Sequence, residues 1–169
     1  VIHLAGANGT HDRVVKAGRW YYTSMSNHGV IAAMKTDGRT APDGSTGYSV
    51  YLLRPYGKVI GRVPTPVDAS NSSCPIYPSE HVALSPDGKK VAFDYFDCNG
   101  EFAAWMPAAN RLRPHVFGDY YAPQWRAANQ LFISHFGTTA TSSQATVGLW
   151  PTSGRAKGWT SGLAGSWVT

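Results

Sequence analysis

A pattern of four short apolar segments returns three times along the chain, and it constrains the fold more than any other feature. Between Glu80 and Phe117 the middle copy reads HVALS, KKVAFDYF, FAAWMP and RLRPHVF. The first two segments are joined within LSPDGKKVAF, where Pro86, Asp87 and Gly88 suit the successive corners of a tight hairpin turn. Short apolar segments bounded by turn residues predict β-strands.

The other two copies flank the middle one. From Ala122 to Ser161 the chain reads APQWR, LFISHF, ATVGLWP and AKGWTS, and an earlier copy, ending at Val63, reads YYTSMS, VIAAMK, YSVYLLRP and KVIGRV. The N-terminal VIHLAGANGTHDRVV matches only the second half of the pattern, and the C-terminal LAGSWVT matches only its beginning. We therefore expect the chain to begin and end within repeats.

Four antiparallel strands per repeat of about forty residues are typical of a β-propeller blade. We predict an all-β chain forming a β-propeller of four-stranded antiparallel blades, of which about three and a half are present. A β-sandwich is the alternative, but it does not explain the regular return of the pattern. The expected divisions are a half blade at 1–17, blades at 18–66, 67–118 and 119–161, and the start of another blade at 162–169.

The composition agrees with this fold class. The chain has 169 residues, of which 43% are hydrophobic, enough for one domain with a real core, and its 18 glycines and 11 prolines favour short strands joined by turns. No apolar run is long enough to span a membrane, so we expect no membrane insertion. The basic residues are scattered singly, so we expect no nucleic-acid partner despite the net charge of +5.

The stretch LSPDGKKVAF resembles the repeat of TolB-like periplasmic propellers, also called WD40-like or PD40-type, whose blades read S-P-D-G-K-K-I-A-F. The middle repeat carries this motif closely, whereas the corresponding turns read RAANQ in the third repeat and SNHG in the first. The resemblance implies a bacterial protein with a non-catalytic binding or scaffolding role.

The strand order of such a blade predicts one face for ligands. The loop that enters each blade and the loop between its second and third strands lie on the same face, here called the top face. Acidic residues such as Asp37 fall there and basic residues such as Lys89 fall on the opposite face, so we expect the top to attract cations. We predict a protein partner or a small ligand at the top face, contacted by Tyr77, Glu80, His81, Asp97, Asp119, Tyr120 and Tyr121.

The two cysteines flank the first hairpin of the middle repeat. Cys74 precedes its first strand and Cys98 follows its second, so an antiparallel pair places both at the same end of one blade. We expect a disulfide, worth about 3 kcal/mol in the chain-entropy model, and hence a periplasmic or secreted protein. Two buried free thiols are the alternative.

Sequence motifs for chemistry are absent. The chain contains no G-x-S-x-G, H-E-x-x-H, C-x-x-C or G-x-G-x-x-G, and its six histidines lack ligand spacing. We therefore expect no catalytic residue, no metal and no cofactor. Two alternatives remain open: the propeller portion of an enzyme, and a carbohydrate-binding propeller that uses exposed Tyr and Trp. The enzyme would be a serine peptidase with the propeller as its gating domain, or a lyase or hydrolase using Glu80, His81, Asp97 and His135.

The two ends of the chain supply too few strands to complete one more blade together. Propellers remove exposed sheet edges by closing a ring. We expect the chain to be part of a ring of about six to eight blades, or to have a partner that covers its open ends.

Overall fold

A computed structural model describes residues 1–40, 46–64, 77–97, 100–108, 115–118, 120–139, 142–151 and 159–161. Every regular element in these residues is a β-strand, and none of them forms a helix long and apolar enough to cross a membrane. The strands are β1 (Ile2–Leu4), β2 (Arg13–Lys16), β3 (Tyr21–Met25), β4 (Ile31–Thr40), β5 (Thr46–Leu53), β6 (Val59–Pro64), β7 (Tyr77–Leu84), β8 (Lys90–Asp97), β9 (Gly100–Pro107), β10 (His115–Gly118), β11 (Tyr120–Ala127), β12 (Gln130–Thr139), β13 (Ser142–Pro151) and β14 (Trp159–Ser161).

The strands pair with their sequence neighbours and form separate antiparallel sheets. Strands β3–β6 form one four-stranded sheet, β7–β10 a second and β11–β14 a third, while β1 and β2 pair alone. We call these the first, second and third blades and the half blade. The predicted fold class is confirmed: the chain is all-β and holds about three and a half propeller blades.

The turn of the second blade shows why its sequence specifies a hairpin. The Ser85 hydroxyl donates to Asp87 Oδ1 at 2.6 Å, and the Lys89 backbone N–H donates to the same oxygen at 3.1 Å. The Ser85 hydroxyl bond, the largest influence, together with the Lys89 bond, lowers the pKa of Asp87 below its usual value. Gly88 closes the turn at φ +72°, a conformation that side chains disfavour.

The core lies between blades, because alternate residues of each strand face opposite neighbours. Between the first and second blades, Met34, Val50 and Leu52 pack with Leu84 and Phe93. Smaller clusters fill the other two interfaces. Ile2 and Val15 of the half blade pack on Ile31, Ala33 and Leu53, and Ala92 of the second blade packs with Leu131 and Ile133 of the third.

The half blade docks on the first blade through a close backbone approach. Arg13 donates from NH1 to the Pro55 carbonyl oxygen at 2.8 Å. Gly57 lies beside β2 at φ +85°, and a Cβ at this position would lie 2.2 Å from the Val15 carbonyl oxygen. The hairpin turn between β5 and β6 therefore fits against β2 only with glycine at position 57.

Candidate functional site

The first strands of the three blades enclose a cleft. Strands β3, β7 and β11, called the inner strands, each lie at one edge of their sheet and, among the strands that the structure describes, each pair with a single neighbour. Their exposed edges surround a cavity of about 510 Å³, which we call the inner-strand cleft. It is lined by Tyr22, Thr23, Ser24, His81, Val82, Ala83, Leu84, Pro123, Gln124 and Trp125.

The lining of the inner-strand cleft combines polar and apolar groups and is largely uncharged. Thr23, Ser24 and Gln124 contribute hydroxyl and amide groups, and Tyr22 and Trp125 contribute aromatic rings. The described lining contains no Asp, Glu, Lys or Arg. Such a surface suits an uncharged ligand that carries both hydrogen-bonding groups and apolar surface.

A buried carboxylate positions the histidine of the cleft. Asp94, on β8, is fully buried, and its Oδ2 lies 2.7 Å from His81 Nδ1. The backbone N–H of His81 donates to Asp94 Oδ1 at 3.0 Å, and the backbone N–H of Ala122 donates to Oδ2 at 2.9 Å. Because Asp94 accepts from both β7 and β11, it fixes the imidazole and also links two blades.

The inner strands have irregular backbone at equivalent positions. Tyr22 has φ 40° and Ala122 has φ 50°, and both lie where the pairing register of their strand shifts. His81 lies within the corresponding shift of β7. Bulges and positive φ at residues other than glycine cost energy and concentrate at functional sites. All three residues also border the cleft or bond to Asp94, which makes the cleft the best candidate site in the described residues.

Two further bonds between blades hold the inner strands together. The backbone N–H of Leu84 donates to Ser24 Oγ at 3.1 Å, joining β7 to β3. The indole Nε1 of Trp125 donates to the Ala83 carbonyl oxygen at 3.0 Å, joining β11 to β7. Trp125 also packs against the cluster between the second and third blades, so it has a packing position together with a place in the cleft.

Of the residues predicted to contact a ligand, His81 is the one whose side chain the structure describes, and it lies in the cleft. The others stay predictions. Asp119, like Cys74 and Cys98, lies outside the described residues. The remaining five are described only by their strand positions: Tyr77 and Glu80 on β7, Asp97 at the end of β8, and Tyr120 and Tyr121 at the start of β11.

Asp94 is the functional residue that sequence reasoning missed. It stands in the apolar run VAFDYF, where alternation places it on the strand face opposite Phe93. A carboxylate in a strand that is otherwise buried signals a buried polar site, because an isolated buried charge is costly. No group of three or more His, Cys, Asp or Glu that could hold a metal ion occurs among the residues that the structure describes.

Comparisons with known proteins support the fold. No protein-family model matches the chain, and no curated protein matches it significantly. The β-propeller domain of the trilobed protease from Pyrococcus furiosus is similar in structure, with a TM-score of 0.56 and 14% identity, over 86% of this chain and 43% of that one. A eukaryotic initiation factor is similar with a TM-score of 0.51 and 9% identity, over 88% of this chain and 34% of that one. The chain thus spans less than half of either structure, and at these identities the similarity establishes a propeller fold.

Proposed function

We propose that the protein is a non-catalytic binding module, of the TolB-like kind suggested by LSPDGKKVAF, whose ligand lies in the inner-strand cleft. The observation that carries this proposal is the cavity of about 510 Å³ that three blades form together. Its hydroxyl, amide and aromatic groups favour an uncharged ligand with many hydrogen-bonding groups. Short neutral peptides and neutral sugars both have this chemistry.

The cleft is organised before a ligand arrives. The bonds from Leu84 to Ser24, from Trp125 to Ala83 and from His81 to Asp94 join residues of different strands. A ligand that enters a prearranged site loses less free energy to ordering the protein, so more of its contact energy appears as affinity. These bonds therefore support a binding role.

The proposed site extends from the cleft to the top face. Strands β7 and β11 begin at that face, and Tyr77, Glu80, Tyr120 and Tyr121 lie at or near their first residues. With Asp97 and Asp119, these residues are proposed to contact the part of a ligand, or of a partner protein, that projects from the cleft.

An enzyme is the second candidate, and the pair of His81 and Asp94 is the observation that favours it. A carboxylate 2.7 Å from Nδ1 orients an imidazole as it does in general-base catalysis. The other contacts of Asp94 favour the binding role, because this carboxylate also holds the backbone N–H groups of His81 and Ala122. Turnover of a neutral ester or glycoside that is lost in His81→Gln, with the fold retained, would support the enzyme instead.

Calorimetric titration with two kinds of probe tests the binding role. Neutral tetrapeptides of Ser, Thr and Ala form one arm, and neutral disaccharides form the other. At least one probe is expected to bind, and Gln124→Trp is expected to abolish binding because it fills the cleft from an exposed position. Gln130→Trp, at the first residue of β12 and outside the cleft lining, is the matched control. If no probe binds, or if Gln124→Trp binds as well as the control does, the proposal is wrong.

The proposed location is the periplasm or the cell exterior, and it rests on the predicted disulfide between Cys74 and Cys98. Mass spectrometry after alkylation, with and without reductant, tests this bond. Two cysteines that become alkylated in the native protein without reductant would contradict both the bond and the location.

A further inference from the structure

A second polar cluster lies on the first blade, on the face toward the half blade. Asp37 has a fully buried side chain, and its Oδ2 accepts from Arg39 Nε at 2.8 Å and from Ser49 Oγ at 2.5 Å. Arg62 NH2 lies 3.0 Å from the same oxygen. Burial alone would raise the pKa of Asp37, but the bonds from Arg39, Ser49 and Arg62 outweigh it and hold the pKa well below its usual range. This carboxylate therefore stays ionised at neutral pH.

Positive charge exceeds negative charge around Asp37. Arg39 and Arg62 already supply two cations, and Lys35 supplies a third, since it stands two residues before Asp37 on the same strand face. Lys35 also pairs across the sheet with Ser49, whose hydroxyl accepts from Arg62 Nε at 3.0 Å. Two guanidinium groups thus contact one buried carboxylate, and an ammonium group belongs to the same face of the sheet. Asp37 was expected to help the top face attract cations, but its buried carboxylate is already neutralised by Arg39 and Arg62.

Aromatic rings hold two of these cations in place. Lys35 Nζ lies 5.2 Å from the centre of the Trp20 ring, and the Arg62 guanidinium lies 5.9 Å from the centre of the Tyr51 ring. The two rings contact each other edge to face at 5.5 Å. Cation–π contacts of this kind restrain a long side chain without using its hydrogen-bond donors. We call Lys35, Arg39, Arg62, Trp20 and Tyr51 the cationic patch.

The guanidinium groups of the patch are partly exposed, and the Lys35 ammonium group has no hydrogen-bonding partner in the described part of the chain. The Arg62 side chain is 42% exposed and the Arg39 side chain is 35% exposed. Lys35 forms no ion pair or hydrogen bond with any residue in the described part of the chain, so its ammonium donors are available. Arg62, which Asp37 already orients, and the Lys35 ammonium group offer directed donors to an incoming carboxylate.

We propose that the cationic patch binds carboxylate side chains of an acidic peptide segment from a partner protein. The size of the patch favours this partner over a nucleic acid, because its excess of about two positive charges matches one or two carboxylates and is too small for a row of phosphates. The aromatic rings also favour a peptide over a nucleic acid. One face of Trp20 and one face of Tyr51 are covered by cations and are not available for stacking bases.

Fluorescence anisotropy with a labelled short polyglutamate peptide tests this proposal. Lys35→Gln removes one charge without breaking a bond to Asp37, and it is expected to weaken binding about threefold to fivefold, as for one exposed charge pair. Lys35→Arg is expected to keep the affinity. Lys89→Gln, in an exposed turn of the second blade, is the matched control and is expected to bind like the wild type.

Two outcomes would overturn the proposal. Equal affinity of Lys35→Gln and the wild type for polyglutamate would show that the patch does not take carboxylates. Tighter binding of a single-stranded oligonucleotide of equal charge, lost in Lys35→Gln, would assign the patch to nucleic acid instead. Failure of neutral ligands to bind the inner-strand cleft leaves this test unaffected, since the two sites share no residue.

Discussion

Two buried carboxylates, Asp37 and Asp94, are the centres of the two polar clusters described above. The side chains of both are fully buried. Asp37 accepts from Arg39 on its own strand and from Ser49 and Arg62 on β5 and β6, and Asp94 accepts from β7 and β11. Strand alternation in VAFDYF carries a signal for the burial of Asp94, whereas Asp37 was expected at the top face, and the partners of neither residue were predicted. Asp94 bonds to His81 and Ala122, which are 13 and 28 residues away in sequence, and only the folded arrangement of two blades brings them together.

The Asp37 cluster predicts a specific pH dependence of stability. The pKa of Asp37 is lower in the folded protein than its ordinary value of 3.8, so its contribution to stability is present above that value and is lost as pH falls below it. Asp37→Asn is expected to cost about 2 kcal/mol at neutral pH and to flatten the fall in stability below pH of about 4. Urea unfolding over a series of pH values measures both effects.

Asp12→Asn provides the control for this measurement. Asp12 is 57% exposed in its side chain and contacts His3 at the surface, so its replacement is expected to change stability by less than about 1 kcal/mol. An Asp37→Asn protein with the same acid dependence as the Asp12→Asn protein would show that the three donors do not stabilise the Asp37 carboxylate.

At the scale of strands and turns, local chemistry determined what the sequence could predict. LSPDGKKVAF predicted its hairpin because the turn is formed by nearby residues alone: Ser85 hydrogen-bonds to Asp87, and Gly88 adopts the positive φ that the turn requires. The irregular positions of the inner strands had no such signal, since Tyr22 and Ala122 are not residues that favour positive φ. The cleft was therefore only partly predictable. His81 was identified through its place near a strand start, whereas Thr23, Ser24 and Gln124 were not.

Docking of the half blade on the first blade predicts different effects for two similar glycines. Gly57 and Gly38 have φ of 85° and 80°, so alanine at either position is expected to cost about 1 kcal/mol in backbone strain. Only at Gly57 would the new Cβ meet another strand, at 2.2 Å from the Val15 carbonyl oxygen, whereas nothing lies within 4 Å at Gly38. Gly57→Ala is therefore expected to lose about 1 to 3 kcal/mol more. Equal losses for both variants in urea unfolding would contradict the observed packing of the half blade.

At the scale of the whole molecule, the blades form a series in which each sheet is buried against its neighbours. The apolar clusters lie between sheets, and the polar bonds of Ser24, Asp94 and Trp125 cross from one blade to the next on the inner side. The inner-strand cleft is consequently a product of several blades, and no single repeat contains it. This is why a repeat pattern predicted the fold well and the site poorly. Completion of the ring by further blades or by a partner stays a prediction.

The inner-strand cleft is tested most directly by protein-observed NMR, which maps ligand contacts through the backbone amide signals of the protein with the neutral peptide or sugar that binds most tightly. If three blades share the ligand site, the largest shift changes fall on the inner strands β3, β7 and β11 together, including Thr23, His81 and Gln124. Changes confined to the outer strands, or to a single blade, would contradict a cleft shared by three blades.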